Sequence, residues 1–198
     1  VGISILVFGR FIEEYLPFTR SIPDVKAALD ALEANPAAAT DRVGTGGTSI
    51  NEALERGIRA TERMQGLRDD VSKGGVLTTG TVVMITDGDD NTSYLPNTDL
   101  IPNTKVNLLS IGIGSEVNGA HLAAIGRDGT FLAQATADWP EAFQEVTTRV
   151  QDYPKRSYFL GYCSTATTGT PTVSVTLNGS VLPRETATCT FDASRFGG

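Results

Sequence analysis

The sequence predicts an α/β fold, with a mostly parallel, doubly wound sheet and a C-terminal β-hairpin appendage. Up to about residue 152, apolar runs of strand length alternate with segments of helical periodicity, which is typical of a parallel sheet with helices on both faces. From residue 153 onward, short alternating runs are divided by Gly and Pro, and Asn178-Gly179 is a common hairpin turn. We therefore predict two domains, residues 1–152 and residues 153–198.

Two strands and a helix are expected in the first part of the chain. Val1–Phe8 is predicted to be a strand, and Arg10–Arg20 to return beside it as an edge strand, since Pro17 cannot donate to a sheet ladder. The inner face of the helix that follows is predicted to consist of Val25, Ala28, Leu29 and Leu32. Asn35 and Pro36 end this helix, so we expect Pro36–Val43 to be a loop.

The middle of the chain is predicted to contain one helix and two buried strands. An amphipathic helix is expected from Asn51 to about Leu67, and residues 69–79 and 92–104 are expected to be loops. Thr81–Thr86 is an apolar, β-branched run that is too short for a helix, so we predict a strand buried on both faces. Lys105–Gly114 is predicted to be a second such strand.

The α/β region is expected to end with a short helix, a strand and a long helix. Leu122 and Ile125 belong to the short helix, and the lone His121 is expected to be a surface residue at its start. Thr130–Ala135 is predicted to be a parallel strand. The last helix begins near Trp139, where Pro is well placed in the first turn, and its inner face is predicted to consist of Phe143, Val146, Thr147 and Val150.

Composition and charge limit the kind of partner. A chain of 198 residues with 40% apolar residues can build a core for one domain with a small appendage. The net charge of -7, without a Lys/Arg cluster, disfavours nucleic acid and anionic membranes as partners and favours a cation. No apolar run approaches the roughly 18 residues that a membrane span needs, and no signal-peptide pattern is present.

The apolar strand Thr81–Thr86 stops at a cluster of carboxylates formed by Asp87, Asp89 and Asp90. Ligands bind at the carboxyl ends of strands in open α/β sheets, and such crowding of negative charge usually requires a cation or open water. The residues themselves leave three interpretations open. They are a solvated Asp-Gly turn, a calcium loop, and a phosphatase-like pair with Asp87 as nucleophile and Asp89 as acid. A calcium loop of the EF-hand type fails at Thr92, where glycine is expected.

A glycine-rich segment upstream contains Gly44, Gly46 and Gly47, followed by Thr48 and Ser49. The glycines allow the backbone to turn tightly and to approach a ligand. Either hydroxyl can cap the helix that follows, with Glu52 placed like the acid of a capping box.

The two segments together, in this order, resemble the von Willebrand factor type A family, a Rossmann-like fold with a metal-ion-dependent adhesion site (MIDAS). The resemblance implies that the Thr48 hydroxyl and Asp87, often through water, hold a divalent cation, with Mg²⁺ expected and Ca²⁺ or Mn²⁺ possible. A carboxylate of a protein ligand would complete the metal shell. The implied ligand-binding face consists of Gly46, Gly47, Ser49, Gly88, Asp89 and Asp90.

The implied function is non-catalytic, adhesion-type binding by a secreted or cell-surface protein. Two other functions remain open, a structural module with a degenerate metal site and a metal-dependent phosphate hydrolase that uses Asp87 and Asp89. The hydrolase would need a lysine or a second carboxylate pair at another strand end, and the sequence offers no convincing candidate.

One element of the family pattern has no counterpart. The family's first strand ends in Asp-x-Ser-x-Ser, whereas Val1–Phe8 resembles its second strand. In that fold the first strand lies between the positions of Val1–Phe8 and Thr81–Thr86. We therefore expect an N-terminal segment or a second chain to supply it, and the start at Val1 without Met suggests a processed or excised piece.

Two cysteines, Cys163 and Cys189, lie in the hairpin region. They are either free thiols or a disulfide, and we favour the disulfide because the pair bounds the predicted hairpin. A disulfide would place the protein outside the cytosol.

Overall fold

The computed structural model describes residues 1–66, 78–91, 100–115, 117–156, 165, 168–177 and 185–195. The chain divides into two compact units, Val1–Arg156 and Ser157–Gly198. The described elements of the first unit are, in chain order, β1 (Ile3–Phe8), β2 (Ile12–Thr19), α1 (Ile22–Ala34), α2 (Pro36–Val43), α3 (Ile50–Gly66), β3 (Thr81–Thr86), α4 (Leu100–Asn103), β4 (Asn107–Ile113), α5 (Gly119–Ile125), β5 (Gly129–Ala133) and α6 (Trp139–Asp152). None of the helices in these ranges is both long enough and apolar enough to cross a membrane.

The strands of the first unit form two separate sheets. β3, β4 and β5 form a parallel sheet with β4 in the middle, whereas β1 and β2 form an antiparallel pair. The class is therefore mixed α/β, as the alternation of patterns predicts. The expectation of one mostly parallel sheet is corrected, because no described strand lies between β1 and β3 and joins the two sheets.

Helices cover both faces of the parallel sheet, and β4 contributes to the core on each side. Leu108 packs in a cluster with apolar residues of α3 and α5. The neighbouring Leu109 and Ile111 point to the opposite face, where they pack against Ala142 and Val146 of α6. This alternation follows from the two-residue period of a strand, and it confirms the prediction of a buried central strand here.

Part of the predicted burial on the α6 side is wrong. Val83 and Ile85 of β3 are 38% and 41% exposed, although a strand buried on both faces was expected. Phe143 and Val150 of α6 are also exposed, and Ala142 takes the inner position beside Val146. α6 lies over β4 and β5, so the same face of β3 has no helix from the described residues above it.

The predicted loop at Pro36–Val43 is a helix, α2. Pro36 ends α1, but it also occupies the first turn of α2, where its missing N–H costs nothing. The Asn35 side chain caps this helix by accepting a hydrogen bond of 3.3 Å from the Ala38 N–H. Asn35 and Pro36 therefore end one helix and begin the next, with no loop between them. On α1, Leu29 is 53% exposed and does not belong to the inner face.

The predicted loops lie largely outside the described residues. Of residues 69–79, the structure describes only 78 and 79, and within residues 92–104 it describes the short helix α4 and Thr104.

The second unit contains the predicted hairpin. β6 (Thr172–Leu177) pairs antiparallel with β7 (Glu185–Thr190), with Thr172 opposite Thr190. Cys189 is exposed on β7, whereas Cys163 and the Asn178-Gly179 turn lie outside the described residues. The disulfide therefore stays a prediction.

We predict that the Leu108→Ala variant is destabilised by about 2–5 kcal/mol, because it leaves a cavity in the cluster between the sheet, α3 and α5. Leu29→Ala, at an exposed helix position, should change the free energy of unfolding by less than about 0.5 kcal/mol. Urea denaturation of both variants measures the difference. Equal losses would contradict this description of the core.

Candidate metal site

The glycine-rich loop joins the carboxyl ends of β1 and β3. On the β1 side, the Ser49 N–H donates to the Gly9 carbonyl at 2.8 Å. On the β3 side, the Thr48 N–H donates to the Asn91 side-chain oxygen at 2.8 Å, and the Asn91 N–H donates to the Thr48 carbonyl at 3.2 Å. Thr48 is thus fixed by hydrogen bonds from both of its backbone groups to the loop that follows β3.

Glycine is required in this loop for conformational reasons at two positions. Gly44 and Gly46 have φ angles of 75° and 81°, a left-handed conformation that L side chains rarely adopt. Gly44 also ends α2, where its N–H donates to the Thr40 carbonyl. The loop therefore turns sharply from α2 into Thr48 and the start of α3.

Thr48 and Asp87 line one cavity of about 340 Å³, together with residues of β1, α2 and the end of β3. A Cβ atom at Gly88 would lie 3.4 Å from Thr48 Oγ1, so the hydroxyl lies against the residue that follows Asp87. Within the described residues, neither the Thr48 hydroxyl nor the Asp87 carboxylate makes a hydrogen bond or an ion pair. Two oxygen donors beside the same cavity are therefore available to a ligand.

Asp89 and Asp90 differ from Asp87, because both carboxylates have protein partners. The Asp90 carboxylate accepts a hydrogen bond of 2.9 Å from the Asn51 N–H, in the first turn of α3. A carboxylate there satisfies an unpaired N–H and complements the positive end of the helix. The Asp89 carboxylate accepts a hydrogen bond of 3.0 Å from the Asp90 N–H.

Ser49 lies beneath the predicted ligand-binding face and not on it. Its side chain is among the most deeply buried in the described residues, with 1% exposure, and its hydroxyl donates to the Arg10 carbonyl at 3.2 Å. The correction has a simple cause, since Ser49 is the residue that attaches the loop to β1. Gly46 and Asp89 are exposed, and Gly47, Gly88 and Asp90 are half-buried.

Three residues of the site were missed in the sequence analysis, namely Asn91, His121 and Asn118. Asn91, which hydrogen-bonds both backbone groups of Thr48, was not among the predicted site residues. His121 was expected to be a simple surface residue, but its Nδ1 lies 3.4 Å from an Asp89 oxygen, and Asn118 donates to the other oxygen at 3.5 Å. Asn118 also caps α5, so a helix-capping residue three positions before a histidine was the available signal.

The donor set fits a hard cation that keeps most of its water. Thr48 and Asp87 offer one hydroxyl and one carboxylate, and Mg²⁺ is commonly bound through one or two carboxylates with several waters. The described residues contain no group of three or more His, Cys, Asp and Glu side chains that could hold a metal ion. From these residues we therefore expect a weak, oxygen-lined site and not a closed cage.

Comparisons with known proteins show the family and agree with the fold. The model of the von Willebrand factor type A domain matches residues 2–149. Two crystal forms of proximal thread matrix protein 1 from the mussel byssus have a similar fold, with TM-scores of 0.53 and 0.50 and 17% sequence identity. They cover 75% and 76% of this chain, which spans only 36% and 34% of theirs. The first is described as having a zinc-occupied MIDAS motif. No curated protein gives a significant match.

We predict that Asp90→Ala lowers the free energy of unfolding by about 0.5–2 kcal/mol, because the first turn of α3 loses its carboxylate partner. Asp87→Ala removes a carboxylate without a protein partner and should leave the stability nearly unchanged. Urea denaturation in EDTA measures both variants. An equal loss in the two would show that the carboxylates do not have the separate roles described.

Proposed function

Because the chain belongs to the von Willebrand factor type A domain family, whose members are usually non-catalytic binding modules, we propose that it is a metal-ion-dependent binding domain. Thr48 and Asp87 are the proposed protein ligands of the cation. The observation that supports this assignment most strongly is that a hydroxyl and a carboxylate without protein partners line one cavity at the carboxyl end of β3.

The proposed cation is divalent, with Mg²⁺ first and Ca²⁺ or Mn²⁺ as alternatives. A hydroxyl and a carboxylate are hard oxygen donors, which suit these ions. The zinc in the MIDAS motif of the mussel protein supports a divalent ion at this position. With few protein ligands, an affinity in the range of about 10⁻⁴–10⁻³ M is expected for these residues alone.

The proposed ligand is a protein that offers a carboxylate. A cation held by few protein oxygens keeps coordination positions for water, and an acidic side chain can replace one of these waters. The partner would contact the exposed surface around the cation, formed by Gly46, Gly47, Gly88, Asp89 and Asp90. Asp89 adds negative charge to this surface, so a partner with a cationic group beside its carboxylate fits better than a purely acidic one.

The two other functions are less well supported. A phosphate hydrolase would use Asp89 as an acid next to Asp87, but the Asp89 carboxylate accepts a hydrogen bond from its neighbour and lies beside His121 and Asn118. Because the described residues contain no group of three His, Cys, Asp and Glu side chains, the structural module with a degenerate site is the second candidate. A cation titration separates this alternative from the binding function.

A secreted or cell-surface location is part of the proposal. The similar solved structures belong to a thread matrix protein of the mussel byssus, and a Cys163–Cys189 disulfide would require an oxidising compartment. Thiol titration of the unreduced, denatured protein tests the pairing.

We predict that Asp87→Ala weakens Mn²⁺ binding at least tenfold, which corresponds to about 1.4 kcal/mol. Asp30→Ala removes an equal charge from the exposed face of α1, where Asp30 pairs with Lys26, and should leave the affinity within about a factor of two, since Asp30 does not line the cavity. Electron paramagnetic resonance of free Mn²⁺ measures both. If the two variants bind equally, Asp87 is not a ligand.

We predict that Thr48→Val also weakens Mn²⁺ binding, because it removes the hydroxyl while it keeps the shape of the side chain. Thr48→Ser keeps the oxygen and should bind the ion nearly as well as the unchanged protein. The ratio of the two affinities, from the same titration, isolates the hydroxyl. If the Thr48→Val variant bound Mn²⁺ with unchanged affinity, Thr48 would not be a ligand, and Asp87 would be the one proposed ligand left.

A further inference from the structure

The turn between β1 and β2, residues 9–11, is attached to the same loop that positions Thr48. The Ser49 N–H donates to the Gly9 carbonyl at 2.8 Å, and the Ser49 hydroxyl donates to the Arg10 carbonyl at 3.2 Å. Ser49 follows Thr48 directly in the chain. The turn and the proposed cation ligand therefore belong to one hydrogen-bonded stretch of backbone.

The side chains of Arg10 and Phe11 lie on the outside of this turn, and we call them the turn patch. Phe11 is 61% exposed, and Arg10 is exposed as well. The guanidinium carbon of Arg10 lies 5.9 Å from the centre of the Phe11 ring, which is within the range of a cation–π contact. A Cβ atom at Gly44 would lie 3.3 Å from this ring, so the ring rests on the first glycine of the glycine-rich loop.

The turn patch is held in place before any partner binds. The Phe11 N–H donates to the Val43 carbonyl at 2.7 Å, and the Gly9 N–H donates to the Phe11 carbonyl at 2.9 Å. With both backbone groups of Phe11 bonded, a partner would spend little free energy on ordering the turn. Exposed aromatic and arginine side chains of this kind are enriched among the residues that dominate protein–protein affinity.

Arg10 is open to an acidic group. Within the described part of the chain, its side chain makes no ion pair and no hydrogen bond. Arg42 is different, because it also lies near an aromatic ring but pairs with Glu13 at 2.9 Å. Arg10 therefore offers guanidinium donors that match the two oxygens of a carboxylate.

The glycine-rich loop has the turn patch on one side and carboxylates on the other. Ser49 bonds to the turn on the β1 side, and Thr48 bonds to Asn91 on the β3 side, where Asp89 and Asp90 lie. A partner that crosses the proposed cation site meets negative charge on the β3 side and positive charge beside an aromatic ring on the β1 side. Complementary charges fix which way such a partner lies.

We propose that the turn patch is a second contact for the protein ligand of the cation, and that it binds an acidic segment with an aromatic residue beside its carboxylates. Arg10 binds a carboxylate of this segment, and the exposed ring of Phe11 packs on the aromatic residue. The proposal rests on the proposed function for another carboxylate of the same segment, which reaches the cation.

The test measures binding of the 198-residue chain, in Mn²⁺, to an immobilised random copolymer of glutamate and tyrosine. A matched copolymer of glutamate and alanine has the same charge density without the aromatic ring. We expect saturable binding in surface plasmon resonance, at least threefold tighter for the copolymer with tyrosine. Absence of saturable binding, or equal affinity for the two copolymers, would overturn the proposal.

Three variants at exposed phenylalanines locate the aromatic contact. Phe11→Ala should remove the preference for tyrosine, whereas Phe11→Tyr keeps a ring and should retain it. Phe143→Ala removes a ring that is 40% exposed on α6 and should also retain the preference. Circular dichroism verifies that the variants are folded. A folded Phe11→Ala variant that still prefers tyrosine would contradict the assignment.

Two arginine variants locate the acidic contact. Arg10→Gln should weaken the binding of both copolymers at least threefold. Arg20→Gln removes the same charge from an exposed residue just beyond the other end of β2 and should leave the binding unchanged, because eight residues of strand separate the two positions by roughly 27 Å. Equal effects of the two variants would mean that Arg10 is not a contact.

EDTA separates this proposal from the proposed function. If EDTA abolishes binding but Phe11→Ala behaves like Phe143→Ala, the turn patch is wrong and the cation-dependent function stands. If EDTA leaves the binding and its dependence on Phe11 unchanged, the cation-dependent function is wrong and the turn patch stands as a separate contact. Sedimentation would contradict the proposal if the chain dimerised and Phe11→Ala made it monomeric, because a second copy would then be the partner.

Discussion

The hydrogen bonds between Thr48 and Asn91 are the contact on which the described geometry depends. They join the glycine-rich loop to the end of β3, and Ser49 joins the same loop to the end of β1. These bonds join residues that are as far as 43 positions apart, and they hold together the ends of two strands that do not pair with each other. Asp90 adds a contact to the first turn of α3, so the helix start is fixed as well.

The proposed metal site lies in the cavity between the carboxyl ends of β1 and β3. Thr48 and Asp87 both line this cavity, together with Leu6, Val7 and Phe8 of β1. Apolar side chains beside a cation site exclude water from it, and electrostatic interactions become stronger where water is excluded. The oxygens of Thr48 and Asp87 therefore lie where a cation would interact with them more strongly than at a fully solvated surface.

Much of the fold could be predicted because its signals are local. The run Thr81–Thr86 has the length and composition of a strand, and the period of α3 identifies its buried face. The exposure of Val83 and Ile85 could not be predicted, because it depends on which element covers them. Pro36 was ambiguous, since proline both ends and begins helices. Thr48 and Asp87 were assigned through the family resemblance. The role of Asn91 in fixing Thr48 was missed because the two residues are 43 positions apart in the chain.

The central claim is that Thr48 and Asp87 hold one cation at the carboxyl end of β3. Anomalous scattering from crystals of the chain in Mn²⁺ tests it most directly. The account predicts a single strong peak in the cavity, about 2.0–2.6 Å from Thr48 Oγ1, with Asp87 bound directly or through one water. A cavity without such a peak, or a peak bound only by Asp89 and Asp90, would contradict it.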